Sequence, residues 1–236
     1  MTENGTHAEG GTEHQYHRRW RGGGLGRLLL VTTGDVDLDG APEIVACAGR
    51  ELKIYRWTGD TYALLAEAGL PKDALSLAVG QVDPGGPGTV AVGTRDNVLL
   101  YALTPGGLVA LCQTLLYPNA YFRSLSLDDV NDDGRAEVIA GASGAQTIYL
   151  YQVMAVGRES RLEELGRLYV GGLVAARPTS AGELVAATRD GWVDVYVSCA
   201  LLPRETQTVY TVRRGDSLWR LSRKFATSPG AIAKAN

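Results

Sequence analysis

No stretch of this chain approaches the roughly 20 consecutive apolar residues that a membrane-spanning helix requires, and it is expected to have no membrane partner. Histidine is almost missing: the three copies, His7, His14 and His17, all fall in the polar start of the chain. No G-x-S-x-G elbow occurs either, so the usual bases and nucleophile settings of a hydrolase are lacking and no catalytic residue is expected. The three cysteines, Cys47, Cys112 and Cys199, are far apart and form no C-x-x-C pair. At least one must stay unpaired within the chain, and Cys47 and Cys112, set in apolar runs, read as buried free thiols. Phenylalanine and methionine occur only twice each, against 30 glycines. That balance excludes large helical cores and points to many tight turns with thin, small-residue packing. The net charge of −3 supplies no excess of positive charge to attract nucleic acid.

What is present is a globular composition, 45% apolar and 21% charged. Residues 1–24, polar and Gly-rich without the apolar core of a secretory leader, read as a flexible tail. Beyond them a repeat begins. GDVDLDGAPEIVACAG (34–49), GQVDPGGPGTVAVGT (80–94) and DDVNDDGRAEVIAGAS (128–143) share one order: a polar Gly/Asp loop, a strand of small apolar residues, then a turn. Glu43, Thr89, Glu137 and Glu183 hold equivalent positions, and Tyr55, Tyr101, Tyr151 and Tyr196 mark the following strand in the same phase. A spacing in the mid to high forties of residues is the range of propellers, solenoids and arrays. LKIYRW, NVLLYAL, TIYLYQV and WVDVYV are short, β-branched or aromatic and bounded by turns, which selects strands over solenoid helices. The expectation is an all-β fold of about four units over 25–203, the fourth shortened.

Within two loops the carboxylates alternate. Asp35, Asp37, Asp39, Gly40 and Glu43 spell D-x-D-x-D-G-x-x-E, and the carbonyl of Ala41 adds an oxygen. Asp129, Asn131, Asp133, Gly134, the carbonyl of Arg135 and Glu137 repeat it with one amide. Calcium takes six to eight oxygens at about 2.3–2.6 Å, and alternate residues of a tight loop can point inward together. An EF-hand needs its Glu at the twelfth position and flanking helices, which this pattern does not offer. Structural calcium is therefore expected at these two loops. It is not expected at the middle loop, where Gln81, Asp83, Gly85 and Thr89 keep a single carboxylate, or at the fourth, shortened to PTSAG. These units resemble FG-GAP/VCBS repeats, and the resemblance, over about 26–200, implies β-propeller-type blades and calcium-binding loops.

The C-terminal segment changes period. In QTVYTVRRGDSLWRLSRKFATSPGAIAKAN, Leu218, Leu221 and Phe225 share a helical face, and Ser228–Pro229 can open a second helix. The string YTVRRGDSLWRLSRKF closely resembles the LysM module, read here as an incomplete α/β segment over 204–236 because the sequence given stops at Asn236. The resemblance implies binding of N-acetylglucosamine-containing glycans, peptidoglycan or chitin. By position, Gly215, Asp216, Ser217 and Leu218 would line one wall of the groove and Ile232 the other.

Taken together, the residues suggest a non-enzymatic calcium-binding module joined to a glycan-binding segment, acting in adhesion at a cell wall or spore surface. A protein ligand on the propeller face is a second expected class of partner. An intracellular interaction scaffold is the alternative, with a propeller-based polysaccharide-acting enzyme behind it. Localisation is correspondingly expected to be extracellular, with the cytoplasm as the alternative.

Overall fold

A computed structural model describes residues 17–22, 30–156, 159–179, 182–197 and 217. Among them every regular element is a β-strand, and the strands form four small antiparallel sheets, each a meander in chain order. The first sheet holds β1 (Leu30–Gly34), β2 (Glu43–Ala48), β3 (Glu51–Trp57) and β4 (Tyr62–Gly69). The second holds β5 (Ser76–Gly80), β6 (Thr89–Gly93), β7 (Val98–Thr104) and β8 (Gly107–Gln113). In the third are β9 (Phe122–Asp128), β10 (Glu137–Ala142), β11 (Thr147–Val156) and β12 (Glu159–Tyr169). The fourth has three described strands, β13 (Leu173–Pro178), β14 (Leu184–Thr188) and β15 (Val193–Tyr196).

Successive sheets pack face to face with their first strands side by side, β1 beside β5, β5 beside β9 and β9 beside β13. Three apolar cores fill the gaps between consecutive sheets. Val45, Cys47, Leu52 and Ile54 of the first sheet meet Leu77, Val92, Leu99 and Tyr101 of the second. Ala91, Val98 and Leu100 on the second sheet's other face meet Leu125, Val138, Tyr149 and Tyr151 of the third. Ile139 and Ile148 of the third meet Leu173, Ala176, Ala186 and Tyr196 of the fourth. Side chains alternate between faces along each strand, so a strand sandwiched between two neighbours must be apolar at every position. This is why TVAVG and EVIAGA carry no polar break after their first residue.

The smallness of those residues has a local cause. A Cβ on Gly93 would lie 2.5 Å from the carbonyl oxygen of Phe122 in the next sheet. That approach admits a bond between sheets, with Ser76 Oγ donating to the Phe122 carbonyl at 2.8 Å. Ser124, at the equivalent register position opposite Gly141, accepts from the Ala176 amide at 3.0 Å and ties the third sheet to the fourth. Small residues thus sit where the sheets approach through their first strands.

Part of the stretch read as tail packs on the first sheet. The ring of Trp20 lies 5.2 Å from that of Tyr55 and 5.3 Å from that of Tyr62, and the Arg19 guanidinium sits 3.9 Å over Trp57. Tyr101, Tyr151 and Tyr196, which share Tyr55's place in their sheets, are packed against a preceding sheet. Tyr55 has none before it and takes a tryptophan instead. Of the two thiols expected to be buried, Cys47 is fully so, while Cys112 is half-buried at the outer strand β8; Cys199 lies outside the described residues.

Candidate functional site

The loops joining the first two strands of the first and third sheets are built alike, residue for residue. In the β1–β2 loop, Asp35 takes the amides of Asp39 at 3.1 Å and Gly40 at 2.9 Å, one on each carboxylate oxygen. In the β9–β10 loop, Asp129 takes those of Asp133 at 3.2 Å and Gly134 at 2.8 Å in the same way. Asp37 and Asn131 each accept the amide two residues on, and Asp39 and Asp133 accept from Ala41 and Arg135 at 2.8 and 2.9 Å. Two residues of each loop stand in the left-handed region, Leu38 with Gly40 and Asp132 with Gly134. Glycine adopts that conformation without a Cβ penalty, which explains its place in both motifs.

Each loop is closed by a buried glutamate at the start of the second strand. Glu43 and Glu137 have no solvent exposure. Glu43 Oε2 accepts the amides of Val36 at 2.8 Å and Asp37 at 3.3 Å, while Oε1 is buried and has no hydrogen-bond partner. Glu137 Oε2 takes the Val130 amide at 3.1 Å, and its Oε1 is met by Asn131 Nδ2 at 3.1 Å and Gln152 Nε2 at 3.3 Å. Burial raises the pKa of both carboxyls against the pull of these amides, and the neighbouring aspartates raise it further; Glu137 is pushed up to about 6. In the first loop the carboxylates of Asp35, Asp37 and Asp39 offer oxygens that all lie within 4.8 Å of one another. A buried, unpartnered carboxylate oxygen beside three converging carboxylates is a donor set suited to a hard cation.

Two contributors escaped the sequence pattern. Arg56 Nη1 donates to Asp37 at 3.0 Å, and Gln152 Nε2 donates to Asp133 at 2.7 Å. Both directly follow a marker tyrosine, Tyr55 or Tyr151, and that position was the available signal. The middle loop is built differently: Gln81 Nε2 donates to the Gly86 carbonyl at 2.7 Å, and Thr89 fills the glutamate's buried place with Oγ1 directed to the Pro87 carbonyl. Its single carboxylate, Asp83, is engaged by the Arg135 guanidinium from the β9–β10 loop.

Of the residues assigned to a glycan groove, Gly215, Asp216, Leu218 and Ile232 lie outside the described residues, and Ser217 is exposed and outside regular structure. The LysM domain family matches residues 210–236. No curated protein matches the chain.

Proposed function

We propose that this chain is a non-enzymatic binding module in which calcium stiffens propeller-type blades of FG-GAP/VCBS kind and a LysM segment engages N-acetylglucosamine-containing glycan. The observation that carries the calcium reading is the pair of matching oxygen-lined loops, each with a fully buried glutamate. Asp35, Asp37, Asp39, the Ala41 carbonyl and Glu43 would hold the first ion. Asp129, Asn131, Asp133, the Arg135 carbonyl and Glu137 would hold the second, with one fewer negative charge and weaker binding. Calcium that binds the folded state alone stabilises it by mass action, so its role here is structural. In the middle loop a guanidinium stands against the one carboxylate, and no ion is needed there.

Calorimetry on the calcium-stripped chain tests this reading. Two binding events, one abolished by Asp37→Ala and the other by Asp133→Ala, are the expected result; no heat and an unchanged melting temperature at millimolar calcium would overturn it. The glycan reading rests on the LysM match over 210–236. Co-sedimentation with insoluble peptidoglycan or chitin is its test, and failure to sediment with either overturns it. Both ligands belong to an extracellular wall or spore surface, which is the setting proposed for the adhesion role.

A further inference from the structure

The interface repeated between sheets has two halves, and the chain exposes one half at each end of its array. On the trailing side, each sheet presents a first-strand residue to the sheet before it. Leu77, Leu125 and Ala176 occupy that place, opposite Val92, Ala140 and Ala186, and are at most 9% exposed. Val31, opposite Ala46, is their equivalent in the first sheet and is 62% exposed. On the leading side, Leu52, Val98 and Ile148 in the third strands are fully buried against the next sheet, as are Ile54 and Leu100 two residues on. Their counterparts in the fourth sheet are Val193 and Val195, opposite Ala187 and Val185, and these are 67% and 56% exposed. A fully buried Val or Leu contributes about 1.5–3 kcal/mol relative to an exposed one, so each open face forgoes what the three internal faces gain.

We infer that the leading face of the fourth sheet, centred on Val193 and Val195, packs on the trailing face of the first sheet, at Val31, of a second copy of this chain. A second copy is the occupant because it carries the matching half: three times within the chain, this kind of leading face is covered by the back of a like sheet. Arg19 and Trp20 lie over Tyr55, Trp57 and Tyr62 of β3 and β4, where they hold part of the place that a preceding sheet takes elsewhere; Val31 in β1 stays open, so the pairing centres on β1 and the second copy displaces the indole or seats beside it. The contact joins two different surfaces, so it either closes or propagates. First strands of successive sheets lie side by side, and two chains making the contact in both directions are the smallest assembly that leaves neither face open. The inference stands on the repeated interface and needs neither cation nor glycan.

Light scattering on the full chain, with and without calcium, tests it. The expected mass is twice the 25.1 kDa of one chain in the micromolar range. Val31→Glu and Val195→Glu, both at exposed positions that leave the cores intact, should each halve that mass. An equimolar mixture of the two variants should restore it, because one intact face of each kind remains. Wild-type chain that stays monomeric overturns the inference, as does a Val31→Glu variant that remains dimeric, which would mean that fourth sheets meet each other. Growth into polymers overturns closure by two chains.

Discussion

Arg135 reaches from the loop of the third sheet to Asp83 in the loop of the second, its Nε donating to Asp83 Oδ1 at 2.8 Å with an Nη2 contact to the same oxygen. The guanidinium thus faces the last carboxylate in a loop whose sister positions hold Gln81 and Thr89.

Both side chains of that pair are more than a third exposed or close to it, so the bond is worth little by itself. Asp83→Asn and Arg135→Ala should each cost about 0.2–1 kcal/mol in urea unfolding. A double-mutant cycle should return a coupling of that size that shrinks as salt is raised from about 0.01 to 1 M, where the screening length falls from about 30 to 3 Å. A coupling indifferent to salt would show that the contact is packing and not charge.

Glu43 and Glu137 make opposite predictions with and without calcium. In stripped protein, a carboxyl whose folded pKa is raised supports stability that is present below its ordinary value and lost as pH climbs through the folded value. For Glu137 that window runs from about 4.5 to about 6. Glu137→Gln should flatten this decline in thermal unfolding, and Glu43→Gln should leave stripped protein as stable as wild type or more so. In saturating calcium both variants should fall below wild type, each having lost a ligand charge. Glu43→Ala, which strands the buried Val36 amide, should cost about 1–3 kcal/mol in either state. Equal effects of the Gln variants with and without calcium would remove these glutamates from the ligand set.

Much of the fold was legible in the sequence because two independent markers, the residue at the start of the second strand (glutamate in three units, Thr89 in the other) and the following tyrosine, kept phase through the chain. All four sheets follow that phase, and in both D-x-D/N-x-D-G loops the first aspartate takes the amide of the glycine five residues on. What composition could not give were contacts made by residues without a motif. Trp20 sits in a Gly- and Arg-rich stretch that reads as tail, yet the first sheet has no neighbour behind Tyr55 and the indole covers it. Arg56 and Gln152 share a position but not a chemistry, and only the register that sets Tyr55 opposite Ile44 and Tyr151 opposite Val138 brings them beside the loops.

Glycine substitutions separate close approach from open turns. Gly93→Ala places a methyl 2.5 Å from a backbone carbonyl that cannot swing aside, and should cost about 1–3 kcal/mol through forced separation of the second and third sheets. Gly166 in β12 has nothing near the position of an added Cβ. There alanine should be neutral or stabilising by about 0.4–1 kcal/mol, because it restricts the unfolded chain. Denaturant midpoints of the two variants measure both; equal midpoints would mean the sheets can part at Gly93 without loss.

The thiols report on the cores without disturbing them. Burial pushes Cys47 and Cys112 up to about 11, and for Cys47 the nearby Asp73 adds to the shift. The thiolate is the reactive species, so at pH 8 both are almost wholly in the inert thiol form while folded. In a Cys199→Ser background, which leaves these two alone, a chromogenic disulfide reagent should react slowly with native protein and at once with both thiols in denaturant. Cys47 lies in the core between the first and second sheets, whereas Cys112 sits half-buried on β8. Cys112 should therefore label first, through local opening of the outer strand, and Cys47 only with global unfolding. Raising the pH toward 11 should accelerate Cys112 in folded protein, because its folded value is the one being approached. Prompt labelling of Cys47 at pH 8 would mean that the first sheet parts from the second far more readily than its packed core allows.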